Sequence, residues 1–176
     1  MSRVLANTLA LLALTTATAA QAQADAPQCL TRNEVHGMMA YFAPTMIHQL
    51  GENCRTFLPE SGYMAKSLPS VEARYAAGKD SAWPMARSAI LKFMSTEVKG
   101  QFDPSKLSDA ALRPMADEIL VQKLSFKMNK DKCLDAEDIL QALAPLDPAL
   151  MLEVITTVVG VVARKDKTMP VCARKN

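Results

Sequence analysis

Apolar residues along this chain recur mostly at three- and four-residue intervals, the spacing of helices with one buried face. From Ala82 to Val98 the positions Trp83, Ala86, Ile90, Phe93, Met94 and Val98 mark such a face. Met115, Ile119, Leu120, Leu124 and Met128 make the inner stripe of a second helix, with Pro114 suited to its first position. Sustained two-residue alternation is absent before residues 154–162, VITTVVGVV. That β-branched run would suit a strand in other surroundings. Asp147-Pro148 ahead of it and Arg164, Lys165 and Lys167 behind it suit the two ends of a helix instead. A central core helix is therefore predicted over 148–164, too short and too charged at Glu153 to be a membrane span.

Two heptapeptides print one pattern twice: CLTRNEV from Cys29 and CLDAEDI from Cys133. Both read as helix starts. Thr31 with Glu34 matches a capping box, in which each side chain satisfies the other residue's free backbone N–H. Asp135 with Asp138 is an acidic version suited to the positive end of the helix dipole. Leu30 with Val35, and Leu134 with Ile139, can close hydrophobic staples over these starts. Ala43-Pro44 follows the first copy and Ala144-Pro145 the second. Proline removes a helical hydrogen bond and restrains the residue before it, so each first helix should stop or kink there. Second stretches then run over 45–53 and 148–164. Between the hairpins, Leu58-Pro59 and Leu68-Pro69 punctuate short elements, and Ser70 can cap a helix through Ala77 that Gly78 ends. The sum is an all-α fold, a compact bundle of five to seven short proline-delimited helices.

The cysteines Cys29, Cys54, Cys133 and Cys172 bear on how the bundle is tied. No C-x-x-C pair is present and the spacings suit no common zinc motif, so two disulfides are predicted. An unbroken helix over 32–52 would be about 30 Å long. It would hold Cys29 and Cys54 well beyond the roughly 7 Å that bonded Cα atoms allow. A break at Pro44 lets them meet, and the same reasoning serves Cys133 and Cys172. Sequential pairing, Cys29–Cys54 and Cys133–Cys172, would staple two helical hairpins.

The N-terminus adds the compartment. Arg3, an apolar stretch over Val4–Leu14 and small residues up to Ala22 and Ala24 have the layout of a secretory signal peptide. Cleavage after Ala24 (or Ala22) would leave residues 25–176 as one exported domain, periplasmic or secreted, without a transmembrane anchor. Lys and Arg number 20 against 18 Asp and Glu, a formal net charge of +2, so no basic field draws nucleic acid. Aromatic residues are 5% of the chain, which leaves aliphatic residues and methionine to fill the core.

Signatures of chemistry are few. The sequence holds no H-E-x-x-H, G-x-S-x-G, Walker A or G-x-G-x-x-G motif, and no cofactor is implied. The run after Asn129 lacks the glycine and the final acid of a calcium loop. One constellation stands out. His36, Met39, Met46 and His48 would face each other across the first hairpin, and imidazole with thioether suits copper. Methionine is also an ordinary filler of aliphatic cores. A hydrolase built on dispersed carboxylates is a further alternative, with no pair singled out. The leading expectation is a non-enzymatic exported protein that binds a partner protein or an apolar small ligand. The ligand's pocket would lie between the hairpins, near Met39, Phe42, Ile155 and Val159.

Overall fold

The first helix starts as its sequence dictates. Thr31 is extended and its hydroxyl accepts from the Glu34 amide at 3.3 Å, while the Glu34 carboxylate accepts from the Thr31 amide at 2.8 Å. Leu30 and Val35 are both buried in one cluster, so the staple is closed as well. Helix α1 then runs from Arg32 to Cys54, straight past Pro44. In the computed structural model, residues 29–97, 103–123, 128–163 and 171–172 are described. The expected signal peptide lies outside them, as do Val98 and Leu124 of the two predicted stripes.

Five more helices follow: α2 (Tyr63–Ala76), α3 (Lys79–Glu97), α4 (Asp109–Lys123), α5 (Lys130–Leu143) and α6 (Pro148–Val162). A 3₁₀ turn at Pro104–Lys106 precedes α4, capped by Asp103. The all-α class stands, and so do two disulfides. What the disulfides tie is different. Cys29 bonds Cys172 and Cys54 bonds Cys133, with Cα separations of 4.9 and 5.5 Å. The sequential pairing fails because α1 does not turn at Pro44, and its 23 residues span about 34 Å. An internal proline costs about 3 kcal/mol. Both halves of α1 are held by more than that. Val35, Tyr41 and Phe42 are buried before Pro44; after it Cys54 is buried with Ile47 and Leu50 packed around its cluster, a fully buried large apolar side chain contributing about 1.5–3 kcal/mol. Packing therefore overrides the local rule.

The same override recurs. Pro69, Pro84 and Pro114 all sit inside helices. Helix α4 begins five residues ahead of Pro114, and its buried face differs from the predicted stripe. Leu112 and Ala116 are buried with Leu120 packed beside them, whereas Met115 and Ile119 are each 37% exposed. On α3 the stripe Trp83, Ala86, Ile90 and Met94 is buried as predicted, but Phe93 turns outward. Helix α5 is capped by Asn129, which accepts from the Lys132 amide at 2.9 Å, so Cys133 lies inside the helix rather than before it. Its end just before Pro145 and the start of α6, with Asp147 accepting from the Ala149 amide at 2.8 Å, agree with the sequence reading.

Helix α1 is the axle: α2, α3, α4 and α6 pack on it, and α5 leans on α2. The main core joins α1, α3 and α4 through Tyr41, Phe42, Trp83, Ala86, Ile90 and Leu112. Its polar edge is tied by charge. The Tyr41 hydroxyl bonds Asp117, Lys79 bridges to Asp117 at 2.9 Å, and Asp109 accepts from Trp83 and Arg87 at 2.8 Å each. Burial and the Asp117 charge push the Tyr41 phenol up to about 12, which keeps it a donor at neutral pH. Helix α6 is not central. It is apolar nearly all round, with Met151 and Thr156 buried against the body and Leu150, Val154, Val158 and Val161 left 48–55% exposed.

Candidate functional site

The His/Met constellation does not assemble. His36 and His48 lie on one unbroken helix, twelve residues apart in sequence and so about 18 Å along the axis. His36 Nδ1 meets the Thr156 hydroxyl at 3.3 Å, and His48 Nδ1 meets Glu72 at 3.3 Å. Among the described residues no group of three or more His, Cys, Asp or Glu is placed to hold a metal ion. Four of the carboxylates have structural partners. Glu34 holds Lys92 and Ser88, Glu153 pairs with Arg32, Asp80 with Arg113, and Glu137 accepts from the Met64 amide at 2.7 Å. That last bond supplies the N-terminal cap that Gly62 cannot give α2.

Met39 and Met46 have another position. With Ala43 and Ile47 they form a stripe at i, i+4, i+7 and i+8 of α1, one continuous helix face. This stripe floors a groove of about 160 Å³. Val71, Arg74 and Tyr75 of α2 make one wall. Leu140 and Leu143 at the end of α5, the following Ala144 and Leu146, and Met151, Leu152 and Ile155 of α6 make the rest. Ala43 and Ala144 are short where longer side chains would fill the space. The Cys54–Cys133 bond fastens the end of α1 to α5, and Glu137 fastens α5 to the start of α2, so two walls share covalent and hydrogen-bonded ties.

The lining is aliphatic and thioether except at the mouth, where Arg74 is exposed and the Tyr75 phenol is half-buried. Burial pushes the Tyr75 phenol up, with the Arg74 charge opposing and the Asp147 charge adding to the rise. It is therefore a hydroxyl donor at neutral pH. Of the four lining residues named from sequence, Met39 and Ile155 line the groove. Phe42 faces the α1–α3–α4 core instead, and Val159 packs toward Leu30. The α2 wall went unread, although Val71, Arg74 and Tyr75 at i, i+3 and i+4 carry the signal. The helix predicted over 70–77 that presents them is the second half of α2, which starts seven residues earlier, at Tyr63, and runs past Pro69.

No family model, curated protein or solved structure matches the chain. Among the described residues no helix is long and apolar enough to cross a membrane.

Proposed function

We infer that this is an exported binding protein whose α1–α2–α6 groove takes the apolar part of a small molecule. The observation that supports this reading is the groove itself: an aliphatic and methionine-lined recess, open at one side, in a domain braced by two disulfides. Disulfides persist in oxidising compartments, which fits the signal-like N-terminus and a periplasmic or secreted location. The volume is close to that of an engineered protein cavity of about 150 Å³ that stays dry and admits benzene. The occupant is accordingly one ring or a short acyl chain of roughly six carbons. Burial of such a chain at about 0.8 kcal/mol per CH₂ gives a Kd on the order of a millimolar. Methionine suits this task because its unbranched thioether adapts to a changing surface.

Titration with 1-hexanol, followed through methionine methyl NMR signals, tests the reading. Met39, Met46 and Met151 should shift together and saturate, while Met64 and Met94, buried in other clusters, stay in place. Equal drift of all five, or none, would remove the groove as a binding site.

A further inference from the structure

Resting on the groove reading, we propose that the site selects an anionic amphiphile, a single carboxylate on a tail of about six carbons, with Arg74 at the mouth receiving the charge. The arginines of the described residues differ in how they are engaged. Arg32 faces Glu153, Arg55 faces Glu52, Arg87 faces Asp109 and Arg113 faces Asp80. Among those residues Arg74 has no ion-pair or hydrogen-bond partner, yet it lines the groove. Its planar fork of N–H donors matches a carboxylate in bidentate fashion.

Tyr75, its neighbour on α2, lines the same mouth and adds a hydroxyl that can donate to the same oxygens. Asp147 is the acid whose charge reaches Tyr75, and its carboxylate already accepts from the Ala149 amide as the cap of α6. That fixed negative charge disfavours a second carboxylate on the ligand, so a monoanion fits better than a dianion. The remaining lining is apolar, which suits the tail. The arrangement is thus an apolar recess with one available cation at its opening, complementary to an amphiphile of opposite charge.

The test compares three ligands of one tail length on the full chain: hexanoate, 1-hexanol and hexylammonium, read by the methyl signals of Met39, Met46 and Met151. At low salt hexanoate should bind about fivefold more tightly than 1-hexanol, the upper end of what an exposed ion pair contributes. Hexylammonium should be the weakest. The hexanoate advantage should fade at about 1 M salt, where the screening length falls to roughly 3 Å. Arg74→Gln should bring hexanoate level with 1-hexanol, the two being compared within the variant. Equal affinity for hexanoate and 1-hexanol in the unmutated protein, or an advantage that survives Arg74→Gln, would overturn the anion proposal while leaving the groove intact. If none of the three ligands moves the signals, the groove reading falls with it.

Discussion

Glu34 closes the capping box with Thr31 and also reaches across to α3, where Lys92 donates at 2.8 Å and Ser88 bonds the other oxygen. It is only 5% exposed. Burial alone would raise its pKa, but the bonds from Lys92, Ser88 and Thr31 outweigh it and hold the carboxyl at about 2. A group depressed in the folded state stabilises above its unfolded pKa, near 4.5, and loses that contribution as pH falls toward 2. The contribution is at most about 3 kcal/mol, at 1.36 kcal/mol per pKa unit. Glu34→Gln should therefore be less stable at pH 7, yet show a shallower loss between pH 5 and pH 2 in urea-denaturation series. Parallel losses in the two proteins would mean that Glu34 is not the linked group. The capping half of this role was legible in the sequence because Thr31 and Glu34 are three residues apart. The Lys92 and Ser88 half was not, since those partners lie more than fifty residues away.

At the scale of elements, the fit of α1 to α3 turns on Gly37. A Cβ there would stand 2.4 Å from the Met85 Cβ and 3.1 Å from the Ala86 backbone nitrogen, atoms that move only with the helix. Gly51 differs: its Cβ would meet the Leu68 Cδ2, the end of a flexible side chain. Alanine gains up to about 1 kcal/mol over glycine in a helix interior, and overpacking costs about 1–3 kcal/mol. Gly37→Ala should thus lower stability by about 1–2 kcal/mol, with Gly51→Ala near neutral or slightly stabilising. Chemical denaturation of both variants checks the order, and a Gly37→Ala protein as stable as the parent would contradict the close approach. The helices themselves were largely legible from three-and-four spacing, as the buried Trp83, Ala86, Ile90 and Met94 show. Their limits were not, because Pro44, Pro69 and Pro114 read locally as ends. Tertiary burial carries the backbone past all three. The α2 helix starts seven residues ahead of Ser70, and the buried face of α4 is Leu112, Ala116 and Leu120 rather than Met115 and Ile119.

For the whole molecule, an unbroken α1 with a covalent clamp at each end is the frame on which the groove depends. Cys29–Cys172 fixes its start, reinforced by the Cys172 amide donating to the Leu30 carbonyl at 2.9 Å, and Cys54–Cys133 fixes its end. Their separations of 143 and 79 residues are far longer than local hairpins would close. On the chain-entropy account each bond is worth roughly 4–5 kcal/mol. The number of disulfides was readable from the cysteine count, whereas their partners depended on the path of α1 past Pro44. Trypsin can cut after Arg32, Arg55, Lys132 and Arg164, which places the four cysteines in four separate peptides. A non-reducing peptide map should therefore show the Cys29 peptide joined to the Cys172 peptide and the Cys54 peptide joined to the Cys133 peptide. A link between Cys29 and Cys54 would require α1 to fold back on itself, and would contradict both the axle and the groove built along it.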